Sequence, residues 1–285
     1  MLNKKKVVLF DGAAGTEMAR RGVDASASVN LTKPEAIELL HRDYALTGID
    51  CLITNSFTAN RISIETKKMD LDIRETNLAA AKLARNAAGK NQYVFGDIGP
   101  TGKLLQPYGD YSEEQFYENF KEQALILNEG KVDGIIIETM TDLREAVCAL
   151  QAVKDNLDLP VIVSLSFISA GKGGRTMMGN SVKEIAKALD ENGADVVGAN
   201  CGELVPDDMA RIASTYREFT DLPVIIQPNA GLPSLVNGNT VYNMTPQAFA
   251  EGVVKCIENG AKLVGGCCGT TIEHISAVVE IVKKL

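Results

Sequence analysis

Short apolar runs alternate with longer stretches of helical period along the whole chain. The runs fall at 7–10, 49–54, 93–98, 134–137, 160–167, 194–199, 223–227 and 261–265. Each is apolar throughout instead of alternating with polar residues, as parallel strands buried on both faces should be. Between them, helices are predicted over 34–47, 74–88, 113–129, 143–156, 181–192, 207–219, 245–259 and 271–284, with a short one after the first run. Thr32 and Ser112 stand where caps belong, Gly48 and Gly193 where helices stop, and Thr245-Pro246 is a start signal. Two long loops are expected, over 169–179 and from Gly231 to about Tyr242. Eight strand–helix units without a break in composition predict a single (β/α)8 barrel of TIM type over 1–285. An open doubly wound sheet is the alternative, and eightfold regularity favours closure.

Composition adds exclusions. A hydrophobic content of 45% is enough for a sizeable core, and a net charge of −8 argues against a nucleic-acid partner. The Lys4-Lys5-Lys6 run reads as a solvated end. No run approaches the roughly 20 apolar residues of a membrane span, and the opening lacks the apolar core of a signal peptide. Six cysteines in 285 residues do not resemble a secreted disulfide framework, so the expected compartment is the reducing cytoplasm.

The chemistry gathers at the ends of the apolar runs, where a β/α barrel carries its active site. Asp11 ends the first run, Glu138 the fourth, Cys201 the sixth, Asn229 follows the seventh, and Cys267-Cys268 the eighth. Adjacent cysteines close poorly into a disulfide, whereas a turn rich in glycine lets two thiolates meet one Zn²⁺. In a barrel the sixth and eighth runs are near neighbours, so Cys201 is the natural third ligand, leaving one position open as in a catalytic site. The plainer reading of a lone cysteine is a small buried hydrophobe, and Cys51, Cys148 and Cys256 are read as core or surface filler. His41 and His274 are the only histidines and fall in helical segments away from strand ends, which disfavours a histidine ligand or a Ser-His-Asp triad. Neither a G-x-G-x-x-G after a strand nor a P-loop occurs. A zinc with three thiolates is a poor activator of water but suits a substrate thiol, held as the thiolate for alkyl transfer. Asp11 and Glu138 could grip an ammonium group, and the N–H groups of Gly12 and Ala13 a carboxylate. The plainer readings are a turn residue for Asp11 and a solvated charge for Glu138.

Asp11-Gly12-Ala13-Ala14-Gly15-Thr16, Gly96-Asp97-Ile98-Gly99-Pro100-Thr101, Glu138-Thr139, Gly174-Arg175-Thr176, Asn200-Cys201, Pro228-Asn229-Ala230-Gly231 and Gly265 through Thr271 occur in the order seen in one family. In these motifs, and across nearly its whole length, the chain resembles the homocysteine S-methyltransferase family, above all the homocysteine-binding modules of cobalamin-dependent methionine synthases. The resemblance implies a zinc barrel with Cys201, Cys267 and Cys268 as ligands and Asn229 as a weak oxygen ligand before homocysteine arrives. It also implies Asp11 and Glu138 on the substrate amino group, with Gly12 and Ala13 near its carboxylate. Ala14, Gly202-Glu203-Leu204 and Met177-Met178 depart from the usual pattern.

The barrel is expected to use the whole chain, and the D-x-H-x-x-G signature of cobalamin-binding modules is absent. The expected donor is therefore methylcobalamin presented in trans by a separate corrinoid protein. A sulfonium or betaine-type donor, another thiol acceptor, and a non-catalytic subunit with structural zinc are the alternatives.

Overall fold

The computed structural model describes residues 5–24, 26–236 and 238–285. Eight parallel strands form one sheet: β1 (Val8–Leu9), β2 (Cys51–Ile53), β3 (Tyr93–Ile98), β4 (Gly134–Met140), β5 (Val161–Leu165), β6 (Val196–Asn200), β7 (Val224–Gln227) and β8 (Ala261–Val264). Neighbours run β1-β8-β7-β6-β5-β4-β3-β2. A bridge between Phe10 and Cys51 joins the two ends, with Asp50 N–H donating to Leu9 O (2.8 Å) and Asp11 N–H to Cys51 O (3.2 Å). The sheet is thus closed, and the fold is a (β/α)8 barrel.

The uniformly apolar strands are sorted by the two-residue period into two cores. Val8 and Phe10, Cys51, Phe95, Ile136, Ile162, Val196, Ile225 and Leu263 fill the lumen, so every strand contributes. Residues of opposite parity, such as Ile135, Ile137, Val163 and Val197, face outward and pack against the helices in the larger core. Cys51, Cys148 and Cys256 are all buried, which places them in the core and not on the surface.

The main helices lie within a residue or two of their expected bounds: Pro34–Leu46, Ile73–Ala87, Glu113–Glu129, Leu143–Lys154, Val182–Glu191, Pro206–Phe219, Pro246–Glu258 and Ile272–Val282. Ser112 caps its helix in a full capping box with Gln115, and Thr245 accepts from Ala248 N–H. Thr32 does not cap the helix at Pro34; it ends a short helix, Val29–Thr32, and bonds back to Ser28 O (3.1 Å). In the lysine run, Lys4 lies outside the described residues, while Lys5 pairs with Asp50 and Lys6 donates to Leu285 O (2.8 Å). The two expected loops contain hairpins, Phe167–Ser169 with Arg175–Thr176 and Pro233–Val236 with Asn239–Tyr242. Both follow the C-terminal ends of strands, β5 and β7, and so rise at the barrel mouth. No helix among the described residues is long and apolar enough to cross a membrane.

Strand β4 runs three residues past its expected end at 137. Ile137 pairs with Val163 and Met140 with Leu165, so two residues of β4 stand opposite one of β5. That extra residue is a bulge, which turns side chains out of the alternation. Glu138 and Thr139 occupy it, and Thr139 takes a φ of 59°, uncommon for a β-branched residue.

Candidate active site

At the mouth the strand ends enclose a cavity of about 320 Å³. Its walls include Asp11, Gly12 and Ala13 after β1, Asp97 on β3, Glu138 on β4, Cys201 after β6, and Cys267 and Cys268 after β8. Another hollow of about 530 Å³ lies among the outer helices, beside Glu113, Tyr117 and Arg144, and holds no comparable convergence of groups.

One half of the mouth is sulfur. The thiols of Cys201, Cys267 and Cys268 all lie within 4.8 Å of one another, and Sγ of Cys201 is 3.8 Å from Sγ of Cys268. A tetrahedral zinc with Zn–S bonds of about 2.3 Å spaces its sulfurs about 3.8 Å apart, so the cluster fits that ion. Backbone geometry produces the convergence. Cys201 has a φ of 56°, which turns it off the end of β6. Cys267 N–H donates to Pro228 O (2.8 Å) and Ala230 N–H to Cys268 O (2.9 Å), binding the tails of β7 and β8 together. Electrostatics points the same way. S–H donation from Cys201 and Cys267 holds the Cys268 thiol far below its ordinary value, at about 3. Cys267 is pushed well up by its bonds to Cys201 and Cys268 and by burial. Three thiols this close cannot all ionise unaided; a cation is what lets them.

Asn229 turns its amide N–H to Gly202 O (3.0 Å) and leaves Oδ1 buried without a partner. Its partner Gly202 directly follows Cys201, and Asn229 itself is not part of the cavity wall. Gln227, at the end of β7, does line the cavity, and its Oε1 is also bare.

The other half of the mouth is acidic. Asp11 is 3% exposed and its Oδ2 accepts from Ile53 N–H (2.9 Å), a rung between β1 and β2 that the short strand could not otherwise supply. Burial raises its pKa well above the carboxylate range; the Ile53 N–H opposes this and the charge of Glu138 adds to it. Glu138 is raised to about 7, by burial and then by the Cys268 charge. Asp97 is raised well above its ordinary value by burial, then by Glu138 and Asp11. Crowded acids in a buried cavity favour their neutral forms until a cation enters.

Asn200 joins the two halves. Its Oδ1 accepts from Thr139 N–H (2.9 Å) and the Ser164 hydroxyl (2.7 Å). Its Nδ2 donates to Glu138 Oε2 (3.0 Å) and Thr139 Oγ1 (2.7 Å), and lies 3.8 Å from Cys267 Sγ. The same amide thus steadies the strained Thr139 and orients the neighbouring carboxyl.

A profile of the homocysteine S-methyltransferase family matches residues 8–282. The chain belongs to that family. Methionine synthase of Mycobacterium leprae is 29% identical over 301 residues, covering 98% of this chain and 24% of the relative. Methionine synthase of Mycobacterium tuberculosis is 28% identical, covering 99% and 25%. The chain therefore spans about a quarter of the curated relatives it matches. Among solved structures, the metallated form of the homocysteine methyltransferase MmuM from Escherichia coli shares the fold, with a TM-score of 0.82, 23% identity and 98% of each chain covered. Its apo form gives a TM-score of 0.78 at 24% identity, covering 98% of this chain and 97% of that one.

Within this family frame, most residues singled out from sequence meet at one cavity. Two expectations need correction. Ala13 lines the cavity, but its N–H is already donated to Thr270 Oγ1 (2.9 Å), so it is not free for a carboxylate. Gly12 remains, and a Cβ there would lie 2.7 Å from Thr270 Oγ1 and 2.9 Å from the Tyr44 hydroxyl, which is why no side chain fits. His41 is not remote from the site. It lines the cavity on the buried face of helix Pro34–Leu46, with neither ring nitrogen partnered, and burial lowers its pKa to about 4. His274 does not line the cavity; it pairs with Thr271 and with Met244 O (2.9 Å). Sequence reasoning assigned no role to Asn200, Asp97 or Gln227. For Asn200 a signal was available, in an amide directly preceding a proposed ligand at a strand end.

Proposed function

We propose that this protein is a zinc-dependent homocysteine S-methyltransferase that makes methionine, with methylcobalamin on a separate corrinoid protein as the donor. The observation that carries the reading is the division of one cavity between a carboxyl half and a three-thiol half. A thiol-bearing amino acid has one end for each. Asp11 and Glu138 take the ammonium group, which restores their charged forms, and the Gly12 N–H takes the carboxylate. Cys201, Cys267 and Cys268 hold zinc, and the bare Oδ1 of Asn229 is the weak fourth donor. Bound there, zinc supplies thiol activation, because coordination lowers a thiol pKa and presents sulfur as the thiolate at neutral pH. The cavity walls would fix the position of that sulfur for an incoming methyl donor.

The rim suits a protein donor. Exposed Leu235 and Val236 on one hairpin, with Leu232 just before it, and Ile168, Met177 and Met178 on or near the other, offer apolar surface around the opening. None of the six cysteines is disulfide-bonded, in keeping with a reducing cytoplasm.

Two measurements test this. Zinc-edge X-ray absorption should gain one sulfur neighbour when homocysteine is added. Homocysteine methylation should proceed with methylcobalamin; strong turnover with S-methylmethionine alone would overturn the corrinoid donor.

A further inference from the structure

One wall carboxyl has no task in the reading above. Asp97 lies on β3, between the β1–β2 seam that carries Asp11 and the β4 bulge that carries Glu138. Its backbone is pinned, with N–H donating to Thr54 Oγ1 (2.9 Å) and the carbonyl accepting from the Ser56 hydroxyl (2.7 Å). Its side chain is not. It is 4% exposed, it lines the cavity, and Oδ1 is buried with no partner. A carboxyl oxygen left bare inside a protein is costly, and such groups are kept where something binds to them. Packing does not call for an acid there, since Phe95, two residues earlier on the same face of β3, belongs to the apolar lumen.

The neighbouring acids are part-used in complementary ways. Asp11 spends Oδ2 on Ile53 N–H and keeps Oδ1 bare; Glu138 spends Oε2 on Asn200. Going round the barrel, Asp11, Asp97 and Glu138 form an arc over β1 to β4, opposite the sulfurs after β6 and β8. A primary ammonium has three N–H donors and one charge, and an arc of three acceptors matches it. We propose that Asp97 is a third contact for the α-ammonium group of the thiol substrate, so that the site selects amino-bearing thiols with three carboxyls and not two. This rests on the homocysteine reading, and its test separates the two.

The test is calorimetric binding to the zinc-loaded protein of L-homocysteine and of 4-mercaptobutanoate, which lacks only the amino group. Asp97→Asn keeps the volume and removes the charge; Asp97→Ser is the second variant, and thermal melting verifies that both fold. Loss of a charge-assisted contact should weaken homocysteine by roughly ten- to a hundredfold, and leave 4-mercaptobutanoate within about twofold. Equal weakening of both ligands, or no change in either, overturns the proposal. Asp11→Asn and Glu138→Gln run in the same series. If they discriminate between the two ligands and the Asp97 variants do not, only the third contact falls. If none of them discriminates, the homocysteine reading falls with it.

Discussion

Asn200 offers the sharpest test of how the two halves of the mouth are held together. Asn200→Ala strips the acceptor from Thr139 N–H and the donor from Glu138, bonds of 2.9 and 3.0 Å in a residue with no exposed surface. A buried polar group left bare costs about 1–3 kcal/mol. The hydroxyls of Ser164 and Thr139 can re-aim and cost less, whereas Thr139 loses what holds its left-handed backbone. Together these give a loss of about 3–5 kcal/mol, read by urea unfolding of the metal-free protein under reducing conditions. Asn200→Asp separates the contributions. It keeps the acceptor for Thr139 and Ser164 but sets a second oxygen where Nδ2 now lies 3.0 Å from Glu138 Oε2. Two like charges at about 3 Å repel by about 5 kcal/mol at an effective dielectric of about 20, so the pair retains a proton. Its folded pKa then exceeds the unfolded value. The stabilisation is full below the unfolded pKa and is lost as pH rises through the folded one. Wild-type Glu138 holds its own proton up to about pH 7, so the gap to wild type should widen chiefly between pH 7 and pH 9, by up to about 1.4 kcal/mol per unit. An alanine variant within about 1 kcal/mol of wild type, or a gap for the aspartate variant that does not change with pH, would refute the reasoning.

Cys267→Ala should abolish stoichiometric zinc binding and methyl transfer yet leave a folded barrel, because both hydrophobic cores are complete without metal; loss of the native circular dichroism spectrum would point instead to structural zinc. Glu145 is buried, accepts from Thr101 N–H and Oγ1 (both 2.7 Å), and is raised to about 7, chiefly by burial. A raised folded pKa means stability present below about pH 4.5 and lost as pH rises through 7, so Glu145→Gln should gain up to about 3 kcal/mol on wild type between pH 5 and pH 8. A difference that stays constant with pH in urea titrations would contradict that assignment.

Much of this was readable from the chain. The apolar runs located all eight strands, because parallel strands buried on both faces leave a continuous signal. Given a barrel, strand ends identify the mouth, and Asp11, Glu138, Cys201, Cys267 and Cys268 all came together there. What escaped depends on orientation and on long-range contacts. His41 lies in a helix far from any strand end in sequence; only the way helix Pro34–Leu46 packs turns it inward. The N–H of Ala13 is taken by Thr270, 257 residues away, and no local pattern shows that. For the hairpin Pro233–Val236 with Asn239–Tyr242 a signal was available, the Asn237-Gly238 dipeptide between two short strand-like runs. The β4 bulge was invisible because an inserted residue alters register without altering composition.

The seam between β1 and β2 has its own consequence. Asp11 donates its N–H to Cys51 O, accepts from Ile53 N–H at its carboxylate and accepts from Gly266 N–H at its carbonyl, so one residue fastens the first strand to both neighbours. Assembly and recognition share a keystone there. Any swap at that position is judged twice, once by whether the cylinder shuts and once by what it then holds, which leaves little room for drift even when the demand for a particular guest relaxes.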